Sequence, residues 1–220
     1  MVSIRKYHIQ DRKAVIHICW STGYMGKSAA GRFDDSYLFG LLFCSYYIDY
    51  EPENCFVAVD SEKNQVIGYI LSSLDSKKQE EQFQKIMIRK IALRAFTYTL
   101  WRHPRTFRVL WHFMRTWEDE PKTFNEKSLL ESYPAHLHID ILPDYHRQGI
   151  GTQLVKTLEN HLRNHNVKGV HLGTSDRNVK AVQFYQKLKF SVIYESSSGS
   201  GMWPDASDVK TLIFAKKITL

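Results

Sequence analysis

Apolar and polar residues alternate from Ser3 to Tyr7, the period of a half-buried strand, and Asp11 then stands where an N-cap would open a helix to about Thr22. Leu38 to Tyr50 is dense in Leu, Phe and Tyr and predicts a second helix with an aromatic face. Cys55 to Val59 and Val66 to Ser72 are strand runs on either side of a polar stretch, Asp60 to Gln65, which together read as a hairpin. The pattern sharpens from Ala135. His136 to Leu142 alternates as a strand, Pro143-Asp144 turns, and Ile150 to Asn164 carries apolar residues at helical spacing. Val170-His171-Leu172 predicts a strand, Asn178 to Leu188 a helix and Phe190 to Tyr194 another strand. Ser196 to Gly201 reads as a flexible Ser/Gly loop, and Leu212 to Ala215 as a closing strand. No internal repeat is visible, and the order of elements is that of an α/β protein.

Residues 77–117 follow a different pattern. Arg, Lys, aromatics and Leu recur there at helical spacing, and Pro104 should end one helix or begin the next. Glu118 to Glu131 is polar and links back to the core, so about 77–131 reads as a helical insertion.

The chain has 220 residues, 43% of them hydrophobic, with a net charge of +7, which excludes a disordered chain and fits one domain spanning 1–220. No stretch is long and apolar enough to span a bilayer, and the N-terminus enters a mixed pattern without the apolar core of a signal peptide. Cys19, Cys44 and Cys55 show no paired spacing, which suits buried thiols in a reducing cytoplasm better than disulfides or zinc. The positive charge favours an anionic partner without choosing between nucleotide cofactor, nucleic acid and acidic membrane.

Gly149 and Gly151 follow a strand and open a helix, where the backbone can approach a ligand and free N–H groups face an anion. A dinucleotide fingerprint would need a third glycine where Leu154 stands, and the Lys-Ser ending of a P-loop is absent. Gly26-Lys27-Ser28 lacks the earlier P-loop glycine, Ser21 standing in its place, and is a coincidence. Alone, the Gly149 loop could equally be an ordinary strand-to-helix turn.

The stretch His146-Arg147-Gln148-Gly149-Ile150-Gly151 resembles the Arg/Gln-x-x-Gly-x-Gly/Ala loop of the GNAT superfamily of N-acetyltransferases, with His at the first position. A second segment, Asn178-Val179-Lys180-Ala181-Val182-Gln183-Phe184-Tyr185-Gln186-Lys187-Leu188-Lys189-Phe190, is similar to that family's Asn-x-x-Ala-x-x-Phe-Tyr-x-Lys-x-Gly-Phe, with Lys189 in the glycine position. The close resemblance covers about 135–194. It implies a GNAT fold, a central, mixed but mostly antiparallel sheet flanked by helices, and acetyl-CoA as cosubstrate. It further implies that His146 opens the cofactor-binding loop, that the pyrophosphate lies on Arg147, Gln148, Gly149, Ile150, Gly151 and Thr152, that the backbone of Ile141 and Leu142 orients the pantetheine and acetyl group, and that Asn178 bonds the pantetheine arm. Lys187 belongs to the same motif. Tyr185 would stand near the sulfur as general acid, its ordinary pKa of about 10 suiting a thiolate leaving group; a core tyrosine against Phe184 is the plainer reading. The His-Ile-Asp-Ile-Leu-Pro stretch is also similar to the acetyltransferase-like domain attached to some O-GlcNAc hydrolases.

His136, His138 and Asp140 alternate along the strand and share one face, with Leu137, Ile139 and Ile141 on the other. His138 beside Asp140 is a candidate base for an ammonium acceptor; the trio would serve equally as a structural polar network. Metal binding by His136 and His138 lacks a further ligand set, and no metal is assigned.

Trp101, Arg102, Arg105, Phe107, Arg108, Trp111, Arg115 and Trp117 make the insert the most unusual composition in the chain. It could wall the acceptor pocket, cover a homodimer interface, bind an anionic surface, or simply pack with solvated arginines. No recognised motif supports nucleic-acid binding. The leading reading is an acetyl-CoA-dependent N-acetyltransferase acting on a primary amine, small molecule or peptide, by direct transfer in a ternary complex. The alternatives are a silent acyl-CoA-binding module, which would bind without turnover, and a nucleic-acid-associated protein, which would bind in a salt-sensitive way without CoA affinity.

Overall fold

The computed structural model describes residues 1–116, 126–196, 202–206 and 208–219. The expectations placed on Trp117, on Glu118 to about 125 and on the Ser/Gly loop at 197–201 lie outside the described residues.

Strands β1 (Val2–Lys6), β2 (Phe56–Asp60), β3 (Gln65–Ser73), β4 (Ala135–Ile141), β5 (Gly169–Ser175), β6 (Ser191–Glu195) and β7 (Thr211–Lys217) form one sheet in the order β1-β2-β3-β4-β5-β7-β6. Every neighbouring pair is antiparallel except β4 and β5. The mixed, mostly antiparallel α/β sheet expected from the sequence is present.

Each face of the sheet is covered because its strands alternate. On one face Tyr69, Leu71 and Val57 pack against α1 (Arg12–Thr22), α2 (Ser36–Phe43) and α3 (Ser45–Tyr50). On the other, Ile67, Ile70 and Leu137 meet Leu154, Val155, Leu158 and Leu162 of α9 (Ile150–Asn164). Those four positions follow the i, i+1, i+4, i+8 spacing of a helical stripe. β7 buries Phe214 in this second core beside Tyr185 and Phe190.

Two local expectations need correction, and one buried segment had none. Asp11 precedes α1 but does not cap it; its carboxylate accepts both terminal guanidinium nitrogens of Arg5, at 2.7 and 2.8 Å, and the His8 N–H at 2.9 Å. The single helix expected over Leu38 to Tyr50 is two, broken at Cys44, whose backbone leaves the helical region (φ −130°, ψ −26°) while its buried side chain stays in the core. Met202, Trp203, Ala206 and Val209, to which the sequence assigned no element, are buried in the first core, and Trp203 meets Tyr24 edge-on.

The insertion is a helical hairpin. α4 (Ser76–Gln82), α5 (Ile88–Arg94) and α6 (Leu100–Arg102) are joined by π-helical turns at Phe83–Met87 and Ala95–Thr99; α7 (Pro104–Thr116) starts at the proline, as predicted, and α8 (Glu126–Ser132) returns to β4. The π turn has a visible consequence. Its wider i to i+5 spacing brings Arg94 and Thr99 onto one side, and both reach the buried carboxylate of Asp35: Arg94 Nε at 2.9 Å, Arg94 Nη2 at 3.2 Å and Thr99 Oγ1 at 2.6 Å. Asp35 also caps α2 by accepting from the Leu38 N–H at 3.0 Å. One buried carboxylate thereby ties the insert to the core.

Candidate active site

The site begins with a gap in the sheet. β4 pairs with β3 along six positions, from His136 opposite Ser73 to Ile141 opposite Gly68. It pairs with β5 only at Ala135 with Val170 and His136 with His171, whereas the opposite edge of β5 pairs with β7 along its whole length, from Gly169 to Ser175. The two strands therefore splay apart toward their C-terminal ends. The Leu142 N–H is spent on Ile67 O at 2.9 Å, so backbone alternation turns the N–H and C=O of Ile139 and Ile141 away from β3 and into the gap. Of the two residues expected to orient the pantetheine, Ile141 presents its backbone to the gap, and Leu142 has its N–H committed to β3.

The loop that follows closes one end of this gap. A 3-10 turn, Pro143–Tyr145, is pinned by Tyr145 Oη donating to Asp60 Oδ2 at 2.8 Å. His146, in place of the family's Arg or Gln, donates from Nε2 to the Ile141 carbonyl at 2.9 Å and ties the loop to the strand end. Arg147 and Gly149 both take positive φ, 63° and 79°, an alternation that turns successive N–H groups inward. Gln148 donates to the Asp144 carbonyl at 3.2 Å.

The two glycines do different jobs. A Cβ built on Gly149 would meet nothing within 4 Å, so the space over it is open to a ligand. A Cβ on Gly151 would stand 3.0 Å from the Phe184 ring and 3.3 Å from Ile141 Cδ1. Gly151 thus lets α9 pack against α10 (Val179–Lys187) and β4, where the sequence reading gave it to ligand approach. Ile150 is buried in the core and offers only its N–H, and Thr152 is half-buried on the first turn. α9 has no side-chain cap and no acidic residue in that turn, so its N–H groups and dipole are free for an anion. An open cradle at Gly149, an uncapped helix and an unpaired strand edge fit the pyrophosphate and the pantetheine amides of acetyl-CoA.

On the opposite side of the gap, Asn178 caps α10 by accepting from Ala181 N at 3.3 Å, and its amide lies against the turn at Gly26. Tyr185 is buried between Phe184, Phe190 and Phe214. Burial, with Asp140 adding to it, pushes its phenol well above the ordinary value, so the match to a thiolate expected from an unperturbed tyrosine does not hold. Lys187 stands exposed in the last turn. Lys189 has φ 64°, which explains why the family pattern carries glycine there.

Beneath the gap, on the α1 side of the sheet, lies a polar cluster. Tyr69 and Asp140 are cross-strand partners, and the Tyr69 hydroxyl donates to Asp140 Oδ2 at 2.6 Å. The same oxygen is 3.3 Å from His138 Nδ1, and His138 Nε2 is 3.6 Å from Asp140 Oδ2. With its proton committed to Asp140, the phenol oxygen has only lone pairs left for Nδ1, a pairing that requires the tautomer with hydrogen on Nδ1. Burial raises the Asp140 carboxyl above its usual range against the opposing pull of His138 and Tyr69.

His136, expected on the same face, enters a separate chain. The Tyr47 hydroxyl is 2.8 Å from its Nδ1, its ring is edge-on to His171, and burial holds its pKa well below the usual value. Two residues to which the sequence assigned no role at the site complete the picture. Tyr69 was visible only as one aromatic position in an apolar strand, with nothing to mark its hydroxyl as a partner of Asp140. Cys19, from α1, places its thiol so that it, His138 and Asp140 have ligand atoms within 4.8 Å of one another. Burial pushes that thiol up, away from the thiolate a metal needs.

A splayed parallel pair, an uncapped helix N-terminus beside an open loop and the Tyr69–Asp140–His138 cluster thus lie together at the end of β4. Residues 27–190 match the acetyltransferase (GNAT) family, and the chain belongs to it. It is an N-acetyltransferase with acetyl-CoA as cosubstrate. Among solved structures it is similar to SsHAT at 27% identity, with a TM-score of 0.75, covering 100% of this chain and 99% of that one. The polyamine N-acetyltransferase of Drosophila melanogaster (12% identity, TM-score 0.58, 99% and 100% coverage) shares the fold. So does yncA from Salmonella typhimurium, solved with its cofactor acetyl-CoA (12% identity, TM-score 0.58, 100% and 95% coverage).

Proposed function

We propose that this chain moves the acetyl group of acetyl-CoA directly to a primary amine of a small molecule or peptide, in a ternary complex, with His138 as base. Bound acetyl-CoA supplies a thioester carbonyl and a thiolate leaving group. The observation that carries the reading is the Tyr69–Asp140–His138 cluster, which lies beside the strand edge that must orient the thioester.

An ammonium acceptor must lose a proton before it can attack. In this reading His138 Nε2 takes that proton, directly or through one water. The imidazolium then forms 3.6 Å from Asp140 Oδ2, so the carboxylate stabilises the charged form. Tyr69 holds both groups in register. Ile141 N–H, turned into the gap, is the donor that would orient the acetyl oxygen, and the Gly149 loop with the first turn of α9 would hold the pyrophosphate. Asn178 would bond the pantetheine arm through its free amide nitrogen. Tyr185, kept protonated by burial, acts as a hydrogen-bond donor to the departing sulfur.

An amine acceptor agrees with the fold's company, since the Drosophila protein is described as forming N-acetylagmatine. The working unit is the whole 1–220 chain, because insert residues Met87, Ile91 and Leu110 share the first core with α1 and α2. Cys19, Cys44 and Cys55 are buried free thiols, in keeping with a reducing cytoplasm.

The test is an initial-rate study with acetyl-CoA and a panel of primary amines. Intersecting double-reciprocal lines are expected. Parallel lines would indicate an acetylated enzyme and overturn direct transfer, and tight acetyl-CoA binding without turnover on any amine would leave the silent binding module instead. His138→Gln should lower kcat by about 100-fold with little change in acetyl-CoA affinity.

A further inference from the structure

Residues 82–117 contain eight Lys and Arg and no Asp or Glu, bounded by Glu81 and Glu118. The whole chain carries +7, so the rest of it sums to −1. All of the excess positive charge sits in one helical hairpin.

Two of these cations are engaged internally: Arg94 with Asp35, and Lys90 with the Tyr50 hydroxyl at 3.0 Å. Lys85, Arg89, Arg102, Arg105, Arg108 and Arg115 have no ion pair with a described carboxylate and are exposed. Large apolar side chains stand among them: Leu93 is 66% exposed, Phe96 56%, Trp101 75%, Trp111 49% and Met114 45%. The hairpin is a built surface with a fixed shape. Phe96 and Phe107 pack edge-on across it at 5.8 Å, and Val109 and Leu110 of α7 are buried in the core. Pro104, Arg108, Trp111 and Arg115 then fall on one outer stripe of α7, at i, i+4, i+7 and i+11.

We propose that this face docks on an anionic lipid bilayer, lying in its interface with Trp101, Trp111 and Leu93 inserted among the headgroups. Arginines beside tryptophans and aliphatics are the chemistry of an interfacial helix. Nucleic acid would use the cations and the aromatic rings, but exposed Leu93 and Met114 gain nothing from base stacking and do gain from hydrocarbon. A second copy of the chain would oppose two surfaces of the same high charge. No described helix is long and apolar enough to cross a membrane, so the contact is one of surface attachment.

The inference is independent of the acetyl-transfer reading, and so is its test. The purified full chain is sedimented with vesicles of phosphatidylcholine alone or mixed with phosphatidylserine, at low and high salt. Binding to the mixed vesicles only, weakened by salt, is expected, with a blue shift of tryptophan fluorescence. Arg105→Glu with Arg108→Glu should weaken partitioning by about tenfold or more, and Trp101→Ser with Trp111→Ser should do the same, while both variants keep acetyl-CoA binding as proof of folding. Three results overturn the proposal: no partitioning at low salt, partitioning unchanged in both variants, or a concentration-dependent dimer abolished by the tryptophan changes. Salt-sensitive binding to single-stranded nucleic acid in the absence of vesicle binding would assign the face to that partner instead.

Discussion

The Tyr69 hydroxyl donates to Asp140 across the β3–β4 ladder at 2.6 Å and leaves its oxygen 3.3 Å from His138. That hydrogen bond favours the charged carboxylate, against the burial that raises it. Tyr69→Phe removes the donor, so the Asp140 pKa should rise further and the acid limb of the pH–rate profile should move to higher pH. We expect kcat to fall by roughly 10- to 100-fold, with the acetyl-CoA KM little changed. An unshifted acid limb would show that Tyr69 serves packing only.

Gly149 holds φ 79° over open space, whereas Gly151 is hemmed in by Phe184 and Ile141. Gly149→Ala should therefore cost only backbone strain, about 1 kcal/mol, and leave acetyl-CoA affinity nearly intact. Gly149→Glu adds an anion where the helix N-terminus would receive one, and should weaken acetyl-CoA binding by about 100-fold or more, roughly 3 kcal/mol. Calorimetric titration of both variants checks this; equal affinities would remove the cradle assignment.

Burial lowers the pKa of three histidines, His136, His161 and His171. The unfolded chain, with histidines near 6.5, then binds more protons than the folded one, so stability is present above that pH and is lost as pH falls below it. Each histidine contributes a slope of up to about 1.4 kcal/mol per pH unit. Chemical denaturation from pH 8 down to 5 should show the decline beginning near 6.5, and His136→Gln should flatten it. A profile level across that range would contradict the buried neutral state.

Asp35 is 2% exposed and accepts from Arg94, Thr99 and the Leu38 N–H. Asp35→Ala would strand the Arg94 guanidinium and uncap α2, at a cost of about 3–5 kcal/mol. Thermal unfolding should detect it as a large fall in Tm, and limited proteolysis should cut first within the insert. A loss under about 1 kcal/mol would mean that Arg94 finds solvent when its partner is removed.

Much of the α/β order was legible because local periodicity reports it. Ile150–Asn164 emerges with the bounds its apolar spacing predicts, and Pro104 opens α7 because proline is tolerated only in the first turn. The Gly149 loop could be read because a positive φ and an uncapped helix are properties of a few adjacent residues. Even the shared face of His138 and Asp140 follows from strand alternation alone.

What sequence could not supply is whatever depends on which strands and helices become neighbours. The splay of β4 from β5 shows only in the pairing, two positions against β4 and seven against β7 on the other edge of β5, and pairing partners far apart in the chain leave no local signature. His136 and His138 look equivalent two residues apart, yet one meets Tyr47 from α3 and the other Tyr69 from β3. The same packing buries Tyr185 and shifts its phenol away from the value that its identity would suggest. Residue identities and spacing determined the elements and the glycine loop; only the tertiary contacts decided which groups share a proton, because hydrogen bonds and desolvation act through space.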